Sequence, residues 1–197
     1  MGGRGKSSGG KASVGESITS AQMNLLKISK YGDMMTNASS SDHAEGAKNG
    51  LTSDETDLIF SYTNETYVDF NSNLRSGDPG VTQFMKDKMN VALNKMPAYK
   101  GTTYRNIEVA NPKAFVSSIT SKNFKFNDFV STTTDRSQLS NFSGNITFEI
   151  KSKRGRNVAK LSAQKSEKEI LFKAGSKFKF TSSSTKKGHT TIKIEEL

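Results

Sequence analysis

Ile146-Thr147-Phe148-Glu149-Ile150 (ITFEI) alternates apolar with polar side chains without a break. That is the period of a strand with one face in a core and the other in water. The same period returns in Lys177-Phe178-Lys179-Phe180 and in Thr191-Ile192-Lys193-Ile194. Shorter strands are expected at Tyr104 to Val109, Lys125 to Val130 and Ile170 to Phe172, with a helix over Pro112 to Thr120. Upstream of Ala98 the period is helical instead. Thr52-Ser53-Asp54-Glu55 is a capping-box pattern, so a helix starts there and turns Leu58 and Ile59 inward. Tyr67, Phe70 and Leu74 keep helical spacing until Arg75-Ser76-Gly77-Asp78-Pro79-Gly80 stops it, and Thr82 to Lys95 carries Phe84, Met85, Met89 and Leu93. Met23, Leu26 and Ile28 predict a short helix within Ile18 to Asn37, whereas Thr36 to Gly50 reads as a polar loop. Helices first and strands afterwards predict an α+β chain: a helical N-terminal half followed by a mixed or antiparallel sheet.

Composition narrows the chemistry. The 197 residues contain no cysteine and only two histidines, His43 and His189, which excludes thiolate nucleophiles, disulfides and Cys/His zinc sites. Residues 1–14 (MGGRGKSSGGKASV) are Gly/Ser/Lys-rich without apolar periodicity and read as a flexible tail. Gly5-Lys6-Ser7 within them lacks the preceding glycine and strand of a phosphate-binding loop. Residues 15–197 are expected to form one domain, helical over 15–98 and strand-rich over 99–197. Neither a membrane span nor a secretory signal is visible, so a soluble protein is expected. The net charge of +10 is uneven, with 13 Lys/Arg against four acids in residues 151–197. Such a basic quarter attracts phosphates or nucleic acid, although solvated outer faces of edge strands give the same composition.

The chemistry-bearing residues sit on or beside these strands. Arg105 offers a planar fork of donors suited to a diphosphate. Ser131, at a strand end, is able to hold a carboxylate in one rotamer. Glu167 and Glu169, two residues apart at a loop-to-strand junction, share a face if the segment is extended and aim at one substrate centre. That set suits cleavage at an anomeric carbon, where a fixed carboxylate stabilises an oxocarbenium-like transition state.

In these segments the sequence resembles the mono-ADP-ribosyltransferases of the Arg, Ser-Thr-Ser, Glu-x-Glu class, found among bacterial binary toxins, exoenzymes and bacteriophage proteins. Tyr104-Arg105, Phe129-Val130-Ser131-Thr132-Thr133 and Glu167-Lys168-Glu169-Ile170-Leu171-Phe172 carry the likeness, together with the helix Tyr62 to Gly77 and the trailing Ala174 to Phe178. The resemblance implies a β-sandwich core of that type and NAD as substrate, with no metal. On that likeness Tyr104 and Arg105 would bind NAD, Arg105 at its phosphates; Ser131 would orient Glu169; and Thr132 and Thr133 would shape the nicotinamide pocket. Glu169 would stabilise the oxocarbenium ion as nicotinamide leaves, and Glu167 would engage a target arginine, with the Lys neighbours helping to keep both carboxylates ionised. Asn106 stands where many relatives have Gly, and Thr133 where they have Ser. In the loop Thr134 to Gly144, Phe142 would stack on nicotinamide and Arg136 would reach a phosphate. The implied partner is a target protein with an accessible arginine, met in the cytoplasm of a host cell after delivery by a phage or a secretion system. Two other functions stand beside it: NAD glycohydrolysis at the same Glu169 with water as acceptor, and a basic nucleic-acid-binding module in which residues 151–197 track phosphates.

Overall fold

The structure, a computed structural model, describes residues 15–120 and 123–197. The N-terminal tail reading, Gly5-Lys6-Ser7 included, lies outside the described residues. Among the described residues five α-helices come first: α1 (Ser20–Lys27), α2 (Ser40–Lys48), α3 (Ser53–Ser61), α4 (Tyr67–Ser76) and α5 (Val81–Lys95). The strands and one further helix follow: β1 (Ala98–Ile107), α6 (Pro112–Ile119), β2 (Phe124–Lys125), β3 (Val130–Thr133), β4 (Ile146–Asn157), β5 (Glu169–Phe172), β6 (Lys177–Lys186) and β7 (His189–Glu196).

The local rules explain most of these boundaries. The Thr52 hydroxyl accepts the Glu55 amide while the Glu55 carboxylate accepts the Thr52 amide, so both partners of the predicted capping box are in place at the start of α3. Gly77 takes the left-handed conformation that closes α4. Between α3 and α4 the chain does not break: Tyr62–Thr66 forms a π turn, so one helical rod runs from Ser53 to Ser76. The segment expected as a polar loop, Thr36 to Gly50, instead holds α2. It shows no apolar period because its inward positions are Asp42 and Gly46, and its start signal is a second capping box, Ser39 with Asp42. Ile28, expected inward with Met23 and Leu26, caps α1 and is 82% exposed. The strand expected over Lys125 to Val130 is split, because Asn127–Phe129 carries the chain from β2 across to β3.

The seven strands form one sheet in the order β1-β3-β5-β4-β7-β6-β2, with β1 also paired to β4. All pairs are antiparallel except β4–β7, so the sheet is mixed. Its hub is β4, twelve residues long, which pairs with β1 and β7 and hands its last two residues, Arg156 and Asn157, to β5. That crossing requires Gly155: a Cβ there would meet Ile170 Cγ2 at 2.7 Å and Phe172 Cε1 at 3.1 Å. The sheet thereby folds over itself into a sandwich. Val130 and Phe172 from β3 and β5 face Ile146, Phe148, Phe178 and Ile192 from β4, β6 and β7, with the Phe172 and Phe178 rings 5.3 Å apart. The opposite side of β3 and β5 presents Phe129 and Leu171 to the helices, where they join Tyr62, Phe70 and Met89 in a second core. No described helix is long and apolar enough to cross a membrane.

Truncating Phe172, fully buried between the two sheet layers, is expected to cost about 3–5 kcal/mol, whereas Leu25→Ala on the exposed side of α1 shifts stability by about 0.5 kcal/mol or less. Urea unfolding of the two variants checks the contrast.

Candidate active site

Antiparallel pairing of β3 and β5 sets Ser131 opposite Leu171 and Thr133 opposite Glu169. Opposed residues point to the same face and alternate residues return to it, so Ser131, Thr133 and Glu169 all face the helices. On that face the Ser131 hydroxyl donates to Glu169 Oε1 at 2.6 Å, and the Thr133 hydroxyl donates to the Glu167 carbonyl at 2.7 Å. From the neighbouring strand, Arg105 Nη1 donates to the Ser131 carbonyl at 2.8 Å. These residues line a cavity of about 330 Å3, within the range of ordinary ligand sites.

Glu167 and Glu169 reach the cavity by different backbones. Glu167 ends a 3-10 turn (Lys165–Glu167), Lys168 adopts a left-handed conformation with φ of 50°, and Glu169 opens β5. The segment is therefore kinked rather than extended, and the kink turns both carboxylates to one cavity. Glu169 is 4% exposed. Burial pushes its carboxyl above the ordinary glutamate range; the Ser131 and Ser162 hydroxyls and Arg105 oppose the rise, while the charge of Glu167 adds to it. Burial raises Glu167 as well. The neighbouring lysines do not pair with these carboxylates, contrary to the sequence expectation. Lys165 binds Asp42, Lys168 binds Asp135 and Lys173 reaches Asn94, because each ammonium finds a partner off the cavity.

The other expected site residues divide. Tyr104, Asn106 and Phe142 line the cavity with Arg105. Asn106 donates both amide hydrogens to the Leu139 and Phe142 carbonyls and accepts from Thr147, so it anchors the 136–142 turn. Thr147 spends its one proton on Asn106 at 2.6 Å, so His189 Nε2, 2.7 Å away, must be the donor to Thr147, which fixes the imidazole tautomer. Thr132 borders the cavity, but strand alternation turns its side chain to the far face, where the hydroxyl donates to the Ile170 carbonyl at 2.7 Å. Arg136 does not line the cavity; its guanidinium lies 5.6 Å from the centre of the Tyr104 ring and 3.8 Å from Glu149.

Several cavity residues escaped the sequence reading: Tyr62, Thr63, Asn64, Asn71 and Gln164. Asn71 accepts the Phe129 amide and donates to the Phe129 carbonyl, tying α4 to the entry of β3. Its second amide hydrogen goes to Tyr62 Oη at 3.0 Å. Tyr62 Oη is thus an acceptor from Asn71 in the cavity wall. Nine residues of plain α-helix are about 2.5 turns and would set Tyr62 and Asn71 on opposite sides; the π turn between them brings them together. A polar residue beside Phe70 on an inward stripe was the available signal.

With this geometry in view, the profile of the ADP-ribosyltransferase exoenzyme family matches residues 36–197. The chain belongs to that family. The chain is similar to the protein Mav of Mycobacterium avium (strain 104), named for NAD(+)–arginine ADP-ribosyltransferase activity, at 35% identity over 158 residues, covering 74% of this chain and 18% of the relative. Tre1 of Serratia proteamaculans (strain 568), an NAD(+)–protein-arginine ADP-ribosyltransferase, is 26% identical over 155 residues, covering 75% of this chain and 33% of the relative. The matched part is thus about a fifth to a third of these longer proteins. Among solved structures, the ADP-ribosyltransferase HopU1 of Pseudomonas syringae superposes with a TM-score of 0.71 at 20% identity, covering 89% of this chain and 87% of that one. Exoenzyme S of Pseudomonas aeruginosa, solved with human 14-3-3 protein beta and bound to carba-NAD, superposes with a TM-score of 0.66 at 19% identity, covering 88% of each. These two likenesses establish the shared fold.

The raised Glu169 carboxyl has a stability consequence. The folded state holds this proton more tightly than the unfolded chain, so stability is lost as pH climbs from the ordinary glutamate value of 4.5 toward the raised one. Glu169→Gln, which carries no charge to desolvate, should melt above the parent at neutral pH. The gap should close on acidification below 4.5. Melting temperature against pH for the two proteins measures it.

Proposed function

We propose that this family member transfers ADP-ribose from NAD to an arginine side chain of a target protein, with release of nicotinamide. The observation that carries the proposal is the 2.6 Å hydrogen bond from Ser131 to the buried Glu169 in a cavity wall shared with Arg105 and Glu167. The names of Mav and Tre1 support the arginine reading, and a Glu rather than a Gln at position 167 agrees with it.

Each step follows from a placed group. Arg105 spends Nη1 on the Ser131 carbonyl and keeps the rest of its fork for the NAD phosphates. The bond between ribose C1′ and the nicotinamide nitrogen breaks, its electron pair neutralises the pyridinium ring, and an oxocarbenium ion forms at C1′. Glu169, held in one rotamer by Ser131, stabilises that cation through the ribose and its 2′-hydroxyl. Thr133 shapes the nicotinamide side together with Phe142, whose ring is half exposed at the cavity rim. An arginine nitrogen then attacks C1′, and Glu167 takes the proton that the guanidinium gives up. Burial raises Glu167 and so improves it as a base. Water competes as acceptor, so NAD cleavage without transfer accompanies the main reaction. Residues 15–197 act as one catalytic domain in this scheme, and the reaction takes place inside a target cell.

Two variants test the division of roles. With labelled NAD and a cell lysate, Glu169→Ala should lower both nicotinamide release and protein labelling by at least about 100-fold. Glu167→Gln should lose arginine labelling while keeping much of its NAD cleavage. Equal activity in parent and variants would sink the proposal.

A further inference from the structure

Glu167 is the one catalytic carboxylate that does not sit in a strand: its carbonyl accepts the Thr133 hydroxyl, and the turn that leads into it is pinned by ion pairs. The segment from Lys160 to Lys168 crosses in front of α2, where Asp42 and Glu45 lie three residues apart on one helix face. Lys165 Nζ is 2.6 Å from Asp42 Oδ1, and Lys160 Nζ is 3.1 Å from Glu45 Oε1. The two partners differ in burial: the Asp42 side chain is 6% exposed and that of Lys165 55%. Asp42 also accepts from the Ser39 amide and hydroxyl, so it is fixed before Lys165 arrives. The helix is itself fastened to α3, where Asp57 Oδ1 accepts the Ala38 amide at 2.8 Å and meets His43 Nε2 at 2.8 Å.

Glu169 needs none of this. Its backbone is held by pairing with Thr133 and by the Val158 amide, and the left-handed Lys168 separates it from the turn that carries Glu167. With the Glu167 carbonyl anchored at Thr133, a shift of the turn before it tilts the Glu167 side chain and leaves Glu169 in its strand.

We propose that the Asp42–Lys165 pair, assisted by Glu45–Lys160, is a positioning clamp that holds Glu167 where it meets the acceptor and so sets how ADP-ribose is partitioned between a guanidine and water. The inference rests on the arginine-transfer reading above. Neither Asp42 nor Lys165 lines the cavity; they act through the turn. Because the lysine partner is exposed, the clamp weakens as salt rises, and transfer falls relative to hydrolysis.

The test uses the full chain, NAD labelled in its adenylate half, and agmatine as the guanidine. Lys165→Met keeps the aliphatic stem and removes the charge. It should leave the KM for NAD and the rate of nicotinamide release without agmatine within about two-fold of the parent, and lower the transfer-to-hydrolysis ratio about five-fold. Lys165→Arg should restore the ratio, and Asp42→Asn, which still accepts from Ser39, should lower it as Lys165→Met does. In the parent the ratio should fall between about 0.05 and about 0.5 M salt, whereas in Lys165→Met, left with the Glu45–Lys160 pair alone, it should fall much less. An unchanged ratio in Lys165→Met, or a parallel loss of hydrolysis and transfer, overturns the clamp alone. A parent chain that cleaves NAD but labels neither agmatine nor protein sinks the arginine reading and the clamp with it.

Discussion

A carboxylate as buried as Glu169 loses several kcal/mol of hydration, and only hydrogen bonds and a nearby cation offset the loss. The protein supplies both from adjacent strands. The Ser131 hydroxyl comes from β3 through the diagonal of an antiparallel ladder, and Arg105 comes from β1, which meets β3 at the Tyr104–Thr133 pair. A slip of β3 by one residue would send Ser131 to the far face and leave Glu169 without its donor. The register of these two short strand pairings is therefore also the specification of the site.

That register is enforced from both sides of the sheet. Behind β3 and β5, Val130 and Phe172 sink into the sandwich core; in front, Phe129 and Leu171 sink into the helical core. Asn71 ties the Phe129 backbone directly to α4, so helical layer and sheet cannot slide past one another without breaking buried hydrogen bonds. Gly155 completes the arrangement by letting β4 pass close enough to β5 to pair with it.

Period and order made much of this legible. The alternation in Ile146 to Ile150, Lys177 to Phe180 and Thr191 to Ile194 marked β4, β6 and β7, and the capping box at Thr52 marked α3 to the residue. Arg105, Ser131, Glu167 and Glu169, read from chain order and family likeness, line one cavity in the fold. What stayed hidden obeys no apolar period. Helix α2 turns an aspartate and a glycine inward, so the rule that finds amphipathic helices passed over it. The π turn is invisible to a 3.6-residue template, and with it went Tyr62 and Asn71 as neighbours. The lysines around Glu167 looked like its counter-ions because they were close in sequence. Their partners, Asp42 and Asp135, are set by tertiary contact across 123 and 33 residues.

The burial that raises the Glu169 carboxyl also explains why such a group suits a reaction that creates a cation. In water a carboxylate is already well solvated and gains little from a passing positive charge. Buried, the same carboxylate keeps the Ser131 hydroxyl and the Arg105 charge but little water, so in the proposed reaction a pyridinium-bearing ribose entering the cavity adds a charge that solvent does not screen. Binding then favours the ionised form. In the proposed transfer, the positive charge moves from the ring onto the ribose as nicotinamide departs, toward the carboxylate that Ser131 holds in place. The cost carried by the folded protein and the stabilisation that the proposed transition state would feel have one origin, the exclusion of water from Glu169.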